Sequence, residues 1–136
     1  MVMPIVTIAQ MEGPLRSDRP RLEADLLCHL AEYRPRLFDA YPRSYLEWVV
    51  HDTVDLAAPF RLDEVQALRV FLQLRFDIAP GFYRQPEIAA VLGRHRLPAM
   101  RRWERLADPS YGDAWVAARQ FAGAKEWRAQ YWGVAA

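Results

Sequence analysis

Apolar side chains recur at intervals of three and four residues through most of the chain, and proline or glycine interrupts each run. This spacing places the apolar side chains on one face of an α-helix. Ser17 or Asp18 suits the N-cap of a first helix, and Pro20 suits its first turn. Pro35 then ends or kinks this helix, and residues 36–40 form a short continuation. The predicted buried stripe of the first helix is Leu22, Leu26, Leu30 and Tyr33.

A second helix is predicted from Pro42 to about Ala57, and its two sides differ in character. One side is apolar and consists of Leu46, Val49, Val50, Thr53 and Ala57, with Tyr45 and Leu56 beside them. The other side is polar, with Glu47, His51 and Asp55 at intervals of four residues and Trp48 next to them. An exposed Trp among carboxylates is typical of a protein interface, although the first helix or the N-terminal residues could equally cover it.

The third predicted helix, residues 62–79, is apolar around most of its circumference, which is typical of a central helix in a bundle. Arg75 projects from the middle of its apolar arc. A guanidinium in that place must be paired or must reach water along its stem. We expect a structural ion pair with Asp52, Asp55 or Glu47, and the alternative is a polar floor in a groove between helices.

Further helices are predicted after Pro80-Gly81, which ends the third helix. They cover residues 86–92, residues 98–106 and residues 109–121, and residues 126–132 would add a final turn or two. The predicted fold class is therefore all-α, a single-domain bundle of about five to seven helices. Residues 1–17 form an extended N-terminal arm in this prediction, and residues 18–136 form the helical domain.

Composition agrees with one folded domain, because 136 residues with 52% apolar content can bury one core. The net charge of +1 gives no overall field for nucleic acid or membranes. Residues 1–68 carry a charge of −4 and residues 69–136 carry +5, so the two halves either pair inside the fold or face two partners. The single Cys28 cannot form an internal disulfide, and we expect a buried or half-buried structural thiol. We expect a cytoplasmic protein that does not span a membrane.

The sequence carries no nucleophile motif, phosphate loop, metal-ligand cluster or cofactor fingerprint. We therefore predict a protein that is not an enzyme and that needs neither metal nor cofactor. The best candidate for binding nucleic acid or an acidic protein is an arginine-rich run with Trp103 among its members, which consists of Arg94, Arg96, Arg101, Arg102 and Arg105. The neutral chain argues against nucleic acid as its main partner. The predicted partner-binding residues are Glu47, Trp48, His51, Asp55, Arg75, Arg101, Arg102 and Arg105.

The order of these features resembles small helical proteins encoded beside type VI secretion effector genes. In that family a first helix ends near an aromatic-proline step, as residues 29–36 do here. An amphipathic helix and a Leu- and Phe-rich helix follow, which correspond to residues 46–60 and 63–79. The family element "P-x-(I/W)-A-x-(I/V)-L" corresponds here to Pro86, Ile88, Ala89, Val91 and Leu92.

The resemblance covers residues 22–106 and implies an accessory role with another protein as partner. The protein would be an adaptor or co-chaperone that helps load a toxin on the secretion spike. The alternative is an immunity protein that neutralises a neighbouring toxin, and a nucleic-acid-binding protein is the last alternative. The chain departs from the family pattern at Ala79-Pro80-Gly81, where a Leu-Gly step is usual, so the partner surface does not follow from the resemblance.

Overall fold

Seven α-helices and four short 3₁₀ helices make up most of the chain that the computed structural model describes, residues 18–62 and 64–121. The α-helices are α1 (Arg19–Tyr33), α2 (Leu37–Ala40), α3 (Arg43–Ala57), α4 (Val65–Asp77), α5 (Pro86–Leu92), α6 (Ala99–Leu106) and α7 (Gly112–Ala118). The 3₁₀ helices are Ala58–Phe60, Phe82–Arg84, Pro109–Tyr111 and Arg119–Phe121. No strand occurs among these described residues, which confirms the all-α prediction. The predicted arm (1–17) and final turns (126–132) lie outside them.

In the described chain, two α-helices and one 3₁₀ helix begin where a side chain accepts a hydrogen bond from a free backbone amide. The Asp18 carboxylate accepts a hydrogen bond from the Arg21 amide, 3.3 Å away, at the start of α1. The Gln85 side-chain oxygen accepts from the Ile88 amide at 2.9 Å, at the start of α5. The Asp108 carboxylate accepts from the Ser110 amide at 2.9 Å, which lowers the pKa of Asp108. Each of these residues is followed within two positions by a proline, whose missing amide costs nothing in a first turn.

Helix α4 is the centre of the bundle, since it packs against α1, α3 and α6. Helices α1 and α3 also pack against each other, so the three helices enclose one core. The stripes predicted for α1 and α3 are buried there except for Tyr33, which is 44% exposed. The core of these helices consists of Leu22, Leu26, Leu30, Leu46, Val49, Val50, Val65, Leu68, Phe71 and Leu72.

Aromatic rings from α4, α6, α7 and the 3₁₀ helix Phe82–Arg84 extend the core. The Phe71 ring lies 5.1 Å from Phe82 and 6.3 Å from Trp103, measured between ring centroids. Trp115 of α7 stacks on Phe82 at 5.9 Å. The indole of Trp103 donates to the carbonyl of Ala67 at 3.2 Å, so this polar group is satisfied inside the cluster.

Within residues 18–62 and 64–121, three ion pairs join the two oppositely charged halves of the sequence. Arg69 donates to Asp25 at 2.9 Å, and Arg75 donates to Asp52 at 3.1 Å. In the third pair the arginine is in the first half of the sequence: Arg34 pairs with Asp77 of the second half. The interpretation that the halves hold each other inside the fold is therefore supported by specific contacts.

Arg61 has a φ of 51°, the one left-handed non-glycine residue among residues 18–62 and 64–121. It follows the 3₁₀ helix Ala58–Phe60, at a position where glycine avoids the clash of a Cβ atom. We therefore expect Arg61→Gly to raise the free energy of unfolding by up to about 1 kcal/mol, measured by urea denaturation. Arg61→Ala is the matched control because it keeps the Cβ atom. An equal gain in both variants would contradict this explanation.

Candidate protein-interaction surfaces

Arg75 is buried, which corrects its prediction as a partner-binding residue. Its side chain is 3% exposed. The guanidinium donates to Asp52 at 3.1 Å, to the Thr53 hydroxyl at 2.7 Å and to the carbonyl of Pro80 at 2.9 Å. Burial lowers the pKa of Arg75, and the charge of Asp52 opposes that effect. The expected structural ion pair is confirmed with Asp52 as the carboxylate, and the residue cannot touch a partner.

Arg102 is also buried, at 2% exposure, so its prediction as a partner-binding residue is wrong as well. Its Nη1 donates to the carbonyls of Phe60 at 2.6 Å and Leu92 at 3.0 Å, and its Nε donates to that of Leu97 at 2.9 Å. Arg102 therefore connects three loop or helix-end carbonyls. Trp103 is 7% exposed and cannot stack on a nucleic-acid base.

The other arginines of this run lie on the surface. We call Arg94, Arg96, Arg101 and Arg105 the basic corner, and all four are exposed. Arg94 and Arg105 line one shallow depression of about 470 Å³, together with Glu104 and Asp108. Arg101 makes a long contact of 3.5 Å with Glu104. The buried Arg102 stabilises the loop that carries Arg94 and Arg96. Its guanidinium donates hydrogen bonds to the carbonyls of Leu92 and Leu97, one at each end of that loop.

The polar side of α3 forms an ion cluster with α1. His51 Nδ1 lies 2.8 Å from Glu23 Oε2, and its Nε2 lies 3.8 Å from Asp55 Oδ2. Arg19 bridges the two carboxylates at 2.7 Å and 2.9 Å. The hydrogen bond with Glu23 is the main cause that raises the pKa of Arg19. His51 and Asp55 are thus predicted interface residues that already join two helices, and surface pairs of this kind contribute little to stability.

Trp48 and Glu47 lie near this cluster on α3. Trp48 is half-buried against the core, and its ring stacks on Tyr45 with centroids 6.3 Å apart. Tyr45 in turn contacts the ring of Tyr41, which is 40% exposed. Glu47 is exposed and pairs with Arg43 at 3.3 Å. The structure therefore leaves part of the Trp48 ring and the Glu47 carboxylate accessible, and their role in binding stays a prediction.

Tyr33 and Arg34 form a surface site that the sequence does not predict. The Tyr33 hydroxyl donates to the Asp77 carboxylate at 2.5 Å, which raises the pKa of Tyr33. Arg34 donates from two nitrogens to the same carboxylate. An apolar groove of about 420 Å³ opens beside them, lined by Tyr33, Arg34, Pro35, Arg36, Leu37 and Ala40. We call it the Tyr33 groove.

Cys28 is exposed, so the predicted buried or half-buried thiol is wrong. The residue lies on α1 between the buried Leu27 and the half-buried His29, and the helix turns its side chain outward. His95 is exposed in the loop between Arg94 and Arg96.

His29 is a half-buried histidine whose Nε2 atom is buried without a hydrogen-bond partner. Burial lowers the pKa of His29; the charge of Arg69 lowers it further, while Asp25 and Glu32 oppose this. Below about pH 6.5 the unfolded chain therefore binds a proton that the folded chain does not. We expect the free energy of unfolding to fall as pH drops below that value, down to the lowered pKa of the folded state.

The check is urea denaturation at about pH 7.5 and about pH 5.5 for the parent and His29→Phe. Phenylalanine keeps the ring stack on Tyr33, whose centroid is 6.0 Å away, and cannot take a proton. We expect a smaller loss of stability in this variant than in the parent. His95→Gln serves as the control and should behave like the parent. Equal losses in the parent and His29→Phe would contradict the prediction.

The part of the chain that the structure describes holds no group of three or more His, Cys, Asp or Glu side chains arranged for a metal ion. Within the same residues, none of the helices has both the length and the apolar character of a membrane span. No protein-family model, curated protein or solved structure matches this chain.

Proposed function

We propose that the chain is a non-enzymatic interaction module that binds an acidic surface of a partner protein through the basic corner. The observation that carries this proposal is the exposure of Arg94, Arg96, Arg101 and Arg105 above the buried Arg102. Arg102 hydrogen-bonds to backbone at both ends of the 93–97 loop, which supports a fixed backbone for the loop that carries Arg94 and Arg96. A preordered charged surface loses less conformational entropy on binding.

The biological role that we propose for this module is that of a cytoplasmic adaptor or co-chaperone in the loading of a type VI secretion effector. This role rests on the resemblance described above, and the basic corner is compatible with it. An acidic patch on an effector or adaptor would be attracted to the corner, and the association rate would fall as salt rises.

The first experiment is capture of the proteins encoded by neighbouring genes, each co-expressed with the tagged chain. We expect an adaptor or effector to bind, with weaker capture at higher salt. The double variant Arg96→Glu/Arg105→Glu should weaken binding by about tenfold or more, because two attractive charges become repulsive. The matched control is Arg21→Glu/Arg119→Glu, which reverses two exposed arginines elsewhere. Equal binding by the parent and the basic-corner variant would contradict the proposed surface.

A second experiment separates the loading role from the immunity role. An immunity protein restores growth when it is co-expressed with its neighbouring toxin, whereas a loading adaptor alone does not. We expect no rescue. Rescue of growth would reject the adaptor role and would leave the interaction surface to be mapped on the toxin.

The α3 face is tested in the same capture assay with Trp48→Ala. Loss of binding in this variant, together with full binding by Arg96→Glu/Arg105→Glu, would place the docking surface at Trp48 and Glu47 instead. The melting temperature of the variant must be measured as well, since Trp48 packs partly against the core.

A further inference from the structure

The Tyr33 groove combines an apolar surface with two arginines at the junction of α1 and α2. Large apolar side chains that are well exposed are few in the described residues: Tyr33 at 44%, Tyr41 at 40% and Val116 at 63%. Tyr33 lines the groove, and Tyr41 follows the groove residue Ala40 directly. An exposed aromatic residue that lines an apolar groove is typical of a protein-binding site.

The walls of the groove are held in place before any partner binds. Asp77, the last residue of α4, accepts hydrogen bonds from the Tyr33 hydroxyl and from Arg34. The Tyr33 ring also stacks on the His29 ring, with centroids 6.0 Å apart and the rings 8° from parallel. Leu37, another residue that lines the groove, packs against the core. A groove with fixed walls binds at a lower entropic cost than one that must be ordered by its ligand.

Charge then distinguishes the two arginines of the groove. Asp77 neutralises Arg34, whereas Arg36 is exposed and makes no ion pair with a residue in the described ranges. Asp39 does not line the groove, since Leu37 and Ala40 face it and position 39 falls on another side of α2. The groove therefore presents an apolar surface beside an available cation.

We infer that the Tyr33 groove binds a segment of a partner protein in which an apolar side chain stands next to a carboxylate. The apolar side chain packs on Leu37 and Ala40 against the Tyr33 ring. The carboxylate pairs with Arg36. Arg36 repels a basic segment, and a purely apolar segment offers no carboxylate with which Arg36 can pair.

This site is separate from the basic corner, because the two lie at opposite ends of α4. Helix α6, which carries Arg101 and Arg105, packs on the first turn of α4 through the hydrogen bond from Trp103 to Ala67. Asp77, which holds the Tyr33 groove, is the last residue of α4. The rise of an α-helix places the two ends roughly 15 Å apart. One molecule could thus hold two protein segments at once, which is what an adaptor requires and which does not depend on the proposed type VI role.

The test uses N-acetyl-tryptophan as the smallest probe with an apolar side chain and a carboxylate, and N-acetyl-tryptophanamide as its uncharged counterpart. Amide chemical shifts of the full chain are followed up to about 10 mM of each probe, a range that covers fragment-level affinity. We expect shifts at residues 33–41, with about three- to fivefold tighter binding of the carboxylate. Arg36→Gln should remove that difference, and the matched control Arg21→Gln should keep it.

A second pair of variants tests the apolar surface without a change in the core. Ala40→Glu places a carboxylate in the groove and should abolish binding of N-acetyl-tryptophan. Ala90→Glu changes an exposed alanine on α5 and should leave binding intact. No shifts at residues 33–41, or equal binding of the two probes to the parent, would overturn the inference. A dimer in sedimentation experiments that Ala40→Glu dissociates would also overturn it, because a second copy would then be the occupant.

Discussion

Phe71→Ala lowers the free energy of unfolding by about 3–5 kcal/mol in our expectation, the range for removal of a fully buried aromatic ring. Phe71 is 0% exposed. Its ring centroid lies 5.1 Å from Phe82, 5.4 Å from Tyr83 and 6.3 Å from both Phe60 and Trp103. Alanine would leave a cavity among four rings that belong to three elements: the 3₁₀ helix Ala58–Phe60, the 3₁₀ helix Phe82–Arg84 and α6. The neighbouring rings can fill this cavity only if the helices that carry them shift.

Urea denaturation followed by far-ultraviolet circular dichroism measures this loss. Phe76→Ala is the matched control because it removes the same side chain from the same helix, at a half-buried position. We expect a clearly smaller loss in the control, since less apolar surface leaves the core. Similar losses in the two variants would mean that the aromatic cluster is not the centre of the fold.

The helices themselves follow from the sequence because their signals are local. A proline at Pro42 and another at Pro59 bracket the second apolar run, and α3 spans Arg43–Ala57. Pro86 and Gly93 bracket the next short run, and α5 spans Pro86–Leu92. First-turn prolines and helix-ending glycines act within a few residues, so a single sequence is enough to place these boundaries.

Tyr33 shows where the apolar period stops being a reliable guide. Its spacing from Leu30 predicts burial, but Tyr33 is the last residue of α1 and the chain turns away at Pro35. The next turn of helix, which would have continued the stripe, does not exist. The Tyr33 hydroxyl donates a hydrogen bond to Asp77 instead, 44 residues further along the chain. The Tyr33 groove depends on this distant contact, so no local pattern could predict it.

The arginine-rich run of α6 shows a second reason for error. Their closeness in the sequence predicts one patch that contains Arg101, Arg102 and Arg105. On a helix, neighbours such as Arg101 and Arg102 point about 100° apart, whereas Arg101 and Arg105 share a face. Arg102 belongs to the apolar side with Ala99, Trp103 and Leu106, all of which are buried. The helical spacing therefore predicts that Arg102 is buried. It does not predict which backbone carbonyls Arg102 binds.

Arg102→Met should destabilise the protein by about 2–5 kcal/mol, the second large effect that we expect. Methionine has an apolar stem of comparable length but donates no hydrogen bonds. The carbonyls of Phe60, Leu92 and Leu97 would lose donors at 2.6 Å, 3.0 Å and 2.9 Å. These acceptors belong to the backbone, so the substitution cannot remove them along with the charge. Arg102→Lys should also destabilise, because one ammonium group cannot reproduce the fork of a guanidinium.

Arg101→Met is the matched control, since Arg101 is the neighbouring residue and its side chain is 72% exposed. We expect a change within about 0.5 kcal/mol for this surface position. Hydrogen exchange of residues 93–97 gives a second measurement, because Arg102 holds that loop through the carbonyls of Leu92 and Leu97. Exchange there should become faster in Arg102→Met and stay unchanged in Arg101→Met. Unchanged exchange in Arg102→Met would show that the basic corner keeps its shape without the buried guanidinium, and the proposed preordering of that surface would then be wrong.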